Sequence, residues 1–464
     1  VNLARLLKLP PDRVRTDAAT LLVHECDALT LYRERPRAVV YPQTTEEVAA
    51  TVRVLAEHEI PVVPRGAGTG LAGGARPCAP GVVLDLTKMD RILAIDAQAR
   101  TARVQPGVVN TRVSDAAAPF GLFFAPDPSS QMACTIGGNV ACGSGGPHCL
   151  RYGTMTDHVE ALTLVDAWGE IHEVADESLV PLVVGSEGTL GIVTEALLRL
   201  VPVPPAVATM LVPFPSMRQA CDAIARILAE GFVPAALEIL DQRAVAMVED
   251  SVFRAGYPRD AAAVLLVEVD GTSAEVEEAA QWIAERWPAR RARDERERAA
   301  IWRGRKGAFG ALGRVSDECY VVDCVVPRSR MAEALERIDA MGERRGLTLV
   351  NVFHAGDGNL HPLIAYRRED AARVQEAGRE ITEICLSLGG TLTGEHGIGV
   401  EKRDFMPMLF DAPSLAAMER VRHAFDPKRI LNPGKVLPGP KVCAEAIRRD
   451  DAFRVLEGGG HGGR

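Results

Sequence analysis

Three short stretches concentrate side chains able to bind a metal, move a proton or hold a carboxylate. In NVFHAGDGNLHP, His354 and His361 stand seven residues apart around a turn made of Gly356, Asp357 and Gly358. Such a turn can bring both imidazoles to one side. Thirty-four residues after His361, LTGEHGIGVEK sets Glu395 beside His396. Two imidazoles and a carboxylate with open positions suit a catalytic divalent metal. The spacing is not a standard zinc pattern, so hydrogen-bonded structural histidines fit the same residues. The third stretch, IWRGRKGAF, supplies Arg303, Arg305 and Lys306. On a helix, Arg303 and Lys306 fall on one face and Arg305 on another. A guanidinium fork suits a carboxylate ligand, while a solvated basic face is the plainer reading.

These groups need a scaffold, and the glycine-rich loops are its most distinctive part. RGAGTGLAGG places glycine at 66, 68, 70, 73 and 74. Clustered amides of such a loop can form an anion nest for a pyrophosphate. The dinucleotide fingerprint G-x-G-x-x-G is not met, because Leu71 occupies its third glycine position and Pro77 and Pro80 preclude a following helix. Taken alone, the loop is either a phosphate cradle or a structural Ω-loop. Three more small-residue loops follow: PDPSS (126–130), TIGGNVACGSGG (135–146) and GSEGTLGIVTEA (185–196). Four such loops within 150 residues exceed what turns require, and together they can line a groove for a large phosphate-bearing cofactor.

The elements around them read as two domains. Residues 1–34 form an N-terminal helical segment at the periphery. From 38, AVVYP, a helix opened by a Thr44/Glu47 capping box with Val48, Val52 and Leu55 on one face, and PVVP make a β-α-β unit. GVVLDL, TARVQPG and a hairpin turning at Trp168–Gly169 continue it, giving a domain over 35–207 that ends in the linker VPVPPAV. Over 208–420, strands TMLVPF, ALEIL, AAVLLVEVDG, CYVVDCVVP and LTLVNVF alternate with helices near 217–230, 274–287, 295–311 and 329–345, which predicts an antiparallel sheet covered on one side. RRARDERERAA reads as a solvated helix face. Residues 421–440 are an irregular segment able to return to the first domain, and 441–464, with His461, read as a tail with a disordered end.

The totals exclude some functions. A net charge of −9 argues against a nucleic-acid surface. No run of 18 apolar residues predicts a spanning helix, and the N-terminus lacks a signal-peptide stretch. The ten cysteines include no C-x-x-C pair. They read as reduced thiols of a cytosolic protein, without an iron–sulfur cluster of its own.

The four loops resemble the FAD-binding half of the vanillyl-alcohol-oxidase/p-cresol-methylhydroxylase flavoproteins. IWRGRK, NVFHAGDGNLHP and GEHGIG resemble its D-2-hydroxy-acid dehydrogenase branch, most closely the glycolate oxidase group, over about 35–438. The resemblance implies an α+β protein with a two-part FAD-binding domain and a ferredoxin-like antiparallel cap. It implies that Arg65, Gly66, Gly68, Thr69, Gly70, Gly73 and Gly74 hold the pyrophosphate. Pro126, Ser129, Thr135, Gly138 and Asn139 then line the isoalloxazine side, and Gly185, Glu187, Gly188 and Ile192 the adenine side. The first loop has no histidine for covalent attachment, so FAD is expected to be dissociable. His148 either approaches the flavin or makes a structural hydrogen bond.

The same resemblance implies His354, His361 and Glu395 as ligands of a divalent metal (Zn, Mn or Fe), His396 as proton acceptor and Arg305 as carboxylate clamp. Lys306 is a second contact. Asn359 either contacts substrate or caps the turn, and Asp357 shapes that turn or orients a histidine. The expected reaction is oxidation of a small 2-hydroxy acid, glycolate ahead of D-lactate. Electrons would pass to a partner protein, an iron–sulfur subunit with a second flavin-type subunit, and on to a quinone pool. A cytoplasmic protein is expected, reaching the inner face of the membrane only through such partners. A metal-dependent hydrolase or lyase and a non-catalytic flavin-binding subunit stand as the alternatives.

Overall fold

In the computed structural model, which describes residues 3–313, 316 and 318–439, the alternating pattern after residue 38 becomes a parallel strand–helix–strand unit. Strands Ala38–Val40 and Val62–Arg65 flank helix Thr45–Glu57, and both pair in parallel with Val82–Asp85. Thr44 caps the helix by accepting from the Glu47 amide. The Glu47 carboxylate turns to both arms of Arg13 and to the Gln43 amide. Val48, Val52 and Leu55 are buried on one face, as the periodicity predicts. The N-terminal segment is more than peripheral. Leu3, Ala4 and Leu7 join the core beneath this sheet, and Val14–Arg15 adds an antiparallel edge strand to it. Their apolar face has a core to enter, which composition alone did not indicate.

The chain forms two units, one of Val1–Ser144, Thr154–Pro202 and Glu395–Arg464, the other of Gly145–Gly153 and Val203–Gly394. In the first, a five-stranded antiparallel sheet adjoins the parallel one in sequence, ordered Ile92–Asp96, Thr101–Val104, Ile192–Arg199, Val159–Val165, Ile171–Val174. It has its own core, with Val104, Ile136, Leu162 and Leu198 fully or nearly fully buried. The expected hairpin turns at Trp168–Gly169, where the Asp166 carboxylate accepts from the amides of Trp168 and Glu170.

The second unit is built on an antiparallel sheet. Its central neighbours are Ala206–Phe214, Ala263–Gly271, Ala236–Asp241 and Leu349–His354. Helices Met217–Ala229, Ser273–Ala284, Glu295–Leu312 and Met331–Arg345 occupy the stretches where the periodicity placed them. The region read as one strand, CYVVDCVVP, is two: Glu318–Val321 and Cys324–Val325 pair with different partners. Asp323 sits fully buried at the break.

Three bounds differ from the sequence reading, the first being the break between units, which falls after Pro202 instead of 207. Residues 145–153 belong with the second unit, where Arg151 and Tyr152 bond Asp270. The return to the first unit begins at Glu395, 26 residues before the expected 421. Its cause is local: Ala72 O accepts the amides of Val400 and Glu401, and Glu187 accepts those of Ile398 and Gly399. The described cysteines are free thiols. No helix among the described residues is long and apolar enough to cross a membrane. The tail 441–464, with His461, lies outside the described residues.

Candidate functional site

Within the first unit the four glycine-rich loops do meet. The loop after strand Val62–Arg65 packs so closely on the third loop that a Cβ on Gly66 would fall 2.3 Å from Thr135 Oγ1. Thr135 caps helix Ile136–Cys142, accepting the Gly138 amide. The third and fourth loops join through their backbones, Gly185 N–H to Val140 O at 2.9 Å and Glu187 N–H to Ala141 O at 2.8 Å. A Cβ has no room at Gly66, so the first loop meets the third with its backbone alone. Glycine-rich backbone of this kind suits the close approach of a dinucleotide phosphate.

The individual residues divide into lining and support. Arg65 is buried, and its Nη1 donates to Cys26 O at 2.7 Å, which folds the side chain beneath its own loop. Asn139 is buried and its Oδ1 accepts from Asn110, whose amide also donates to Pro126 O. Glu187 is buried and holds the amides of Ile398 and Gly399. Burial raises its pKa against the lowering effect of those two bonds. Ile192 is buried at the start of its strand. Gly68, Thr69, Gly70, Gly74 and Gly138 remain partly accessible, Gly73 and Gly188 are buried, and Ser129 and Gly185 are exposed.

In the second unit the sheet delivers the histidines. His354 ends strand Leu349–His354, and the turn Ala355–Gly358 leads to Asn359, which pairs back with His354. Asp357 Oδ1 accepts the Asn359 amide, so Asp357 shapes this turn. His354 and His361 stand edge to face, ring centroids 5.1 Å apart and planes at 89°. Glu395 is bonded to Gly394, whose amide lies 3.1 Å from both oxygens of Asp323. His354, His361 and Glu395 each offer a ligand atom, and these atoms lie within 4.8 Å of one another. His396 follows, half-buried.

Arg305 projects from helix Glu295–Leu312 to the same strand end, with Nη2 3.4 Å from His354 Nδ1 and 2.5 Å from Glu238 Oε2. Arg303 is exposed; Lys306 is half-buried, its Nζ 5.7 Å from the centroid of Trp302. Arg305 Nε and Asn359 Oδ1 are buried without a hydrogen-bond partner among the described residues. A buried donor and a buried acceptor left open beside paired imidazoles fit an absent polar ligand. The two imidazoles and the carboxylate likewise fit a divalent cation.

The helix is anchored by Glu268, which the sequence reading did not single out. It accepts from Arg298, Trp302 Nε1 and Thr209, and lies 3.2 Å from His148 Nε2. Burial alone would raise its pKa, but the bonds from His148 and Arg298 hold it well below the usual carboxylate range. His148 therefore makes a structural bond. Glu238 and Asp323 were also missed. Each is a lone acid in an apolar strand run, and that misfit of type and place is the signal that could have found them.

Two family models match successive parts of the chain. Residues 36–175 match a family model described as an FAD binding domain, and 203–436 match one described as FAD linked oxidases, C-terminal domain. The chain is 42% identical to glycolate oxidase subunit GlcD of Escherichia coli (strain K12), covering 92% of this chain and 88% of that protein. It is 39% identical to the Bacillus subtilis subunit of the same name, covering 92% and 94%. With D-lactate dehydrogenase of Archaeoglobus fulgidus it shares 37% identity over 86% and 91%. Its fold is similar to that of p-cresol methylhydroxylase, with TM-score 0.78 at 17% identity over 94% and 96% of the two chains.

Proposed function

The chain belongs to the FAD-linked oxidases, and on that premise we propose that it oxidises glycolate, ahead of D-lactate, at the histidine–arginine cluster of its second unit. It is an FAD-dependent oxidoreductase of small 2-hydroxy acids, the class shared by the relatives above. The oxidation removes the hydroxyl proton and the C2 hydride and leaves a 2-oxo acid. When bound, FAD supplies the hydride acceptor and a divalent cation (Zn, Mn or Fe) supplies positive charge for the forming alkoxide.

The chain's own residues do the rest. His354, His361 and Glu395 hold the cation. His396, next to Glu395, accepts the hydroxyl proton. Arg305 binds the substrate carboxylate, with Lys306 as a second cation, and Asn359 offers its buried amide oxygen to the substrate. The glycine-rich loops of the first unit hold FAD without a covalent bond. Electrons leave to partner subunits, one carrying an iron–sulfur cluster and one a second flavin, in the cytoplasm at the inner face of the membrane.

One observation carries this reading. The two imidazoles and the carboxylate converge within 4.8 Å, and Arg305 stands 3.4 Å from one of those imidazoles. A metal hydrolase would need the first group but has no evident use for an FAD domain. The test is dye-linked turnover of glycolate, D-lactate and L-lactate before and after chelation. Loss on chelation and recovery with Mn2+, Zn2+ or Fe2+ is expected. Undiminished turnover by metal-free protein would remove the cation from the reaction.

A further inference from the structure

Glu238 lies between two groups to which the proposed reaction gives separate tasks. It is fully buried on strand Ala236–Asp241, where its register partner across the sheet is His354. Its Oε1 is 2.8 Å from His354 Nδ1, and its Oε2 is 2.5 Å from Arg305 Nη2. The strand itself does not ask for a charge, since Leu237, Ile239 and Leu240 are apolar and buried. Burying an ion pair in such a place is costly unless its geometry is good and its remaining sites are satisfied.

The distances assign the protons. A carboxylate paired with a guanidinium only accepts hydrogen bonds, so the imidazole nitrogen facing it carries the hydrogen. Nδ1–H of His354 therefore donates to Glu238, and the lone pair of this neutral ring lies on Nε2. Arg305 Nη2, 3.4 Å from the same Nδ1, is a donor that would need a lone pair there, but the contact to Glu238 is shorter at 2.8 Å, and a bare lone pair facing a carboxylate is repelled, so the hydrogen stays on Nδ1. The other Glu238 oxygen pairs with one arm of Arg305 by charge, at 2.5 Å but outside hydrogen-bond geometry, and leaves the rest of the fork to a ligand.

We propose that Glu238 is a positioning residue for both halves of the site. It fixes the His354 tautomer so that Nε2 faces the cation, and it sets the orientation of the Arg305 fork for the substrate carboxylate. This rests on reading His354 as a cation ligand and Arg305 as the clamp. Outer carboxylates of this kind commonly change metal affinity about 10- to 100-fold.

The test is calorimetric titration of Mn2+ into chelator-treated, FAD-bound protein. Wild type is compared with Glu238→Gln, Arg305→Met and the double variant. A drop in Mn2+ affinity of about 10- to 100-fold is expected in both proteins that lack Glu238, with affinity kept in Arg305→Met. KM for glycolate should rise in all three, and the flavin spectrum should be retained. The double variant removes both buried charges, so it carries the test if Glu238→Gln alone fails to fold. Wild-type Mn2+ affinity in the double variant would overturn the positioning role. No Mn2+ binding by wild type, with no change in His361→Ala, would instead sink the cation reading and with it the His354 half of this proposal.

Discussion

At the scale of residues, the groups that stood out in the sequence were polar types in turns. His354, His361 and Glu395 stood out by type, but their spacing fitted structural histidines as well, and it was the family resemblance that implied a metal; the structure brings their ligand atoms together. Glu238 left only one signal, a lone acid in the apolar run ALEIL, and the sequence does not say whether such an acid faces solvent or a buried partner. It is buried because neighbours on both sides of the strand continue the sheet and Arg305 reaches it from a helix. His396→Asn should slow flavin reduction by about 100-fold or more while FAD stays bound. Stopped-flow absorbance measures it, and an unchanged rate would exclude His396 as the proton acceptor. Arg305→Ala should raise the KM for glycolate, with an unchanged KM counting against the clamp. A third prediction concerns Asp27, whose neighbour Ala28 donates to Gly70 O in the first glycine loop. Burial pushes its carboxyl up to about 6, against the lowering bond from Leu29. The folded state thus keeps a proton that the unfolded state loses near pH 4. It binds more protons over that window, so stability should fall as pH rises from about 4 to about 6 and then level off. The change is on the order of 3 kcal/mol. Urea unfolding across this range should show the slope in wild type, and Asp27→Asn should flatten it.

At the scale of elements, helices were the most readable part, because caps and periodicity are local. Asp294 caps helix Glu295–Leu312 through the Glu297 amide, and the expected 295–311 differs from it by one residue. The alternating charges before it do form exposed pairs, such as Arg291 with Glu277, yet Arg298 leaves that surface for buried Glu268. What could not be read was non-local. The break between Val321 and Cys324 lies in an unbroken strand-forming run. Only the structure shows that it turns Asp323 toward the Gly394 amide. Likewise, the early return at 395 depends on bonds to Ala72 and Glu187, more than 200 residues earlier in the chain. That return gives a sharp prediction. Gly399 has φ +53°, and a Cβ there would lie 1.9 Å from Ala72 O, a backbone atom that cannot rotate away. Gly399→Ala should lower stability by at least about 2 kcal/mol, from left-handed strain and the clash together. Thermal unfolding and FAD retention read it, and an unchanged Tm would show that the contact is not made.

At the scale of the whole molecule, the α+β class and the family were legible because the loop motifs are long. The domain bounds were less so, because segments 145–153 and 395–420 are assigned by contacts rather than by composition. In the proposed function the electrons of the reduced flavin pass to a partner subunit. Dye-linked oxidation should therefore run much faster than hydrogen peroxide formation in air, and equal rates would make oxygen the acceptor. The most direct test is an anaerobic titration of the FAD-bound protein with glycolate, D-lactate and L-lactate, following the oxidised flavin band. The account predicts bleaching by glycolate or D-lactate when a divalent cation is present, and no bleaching after chelation. A flavin that stays oxidised with every acid, cation restored, would contradict it.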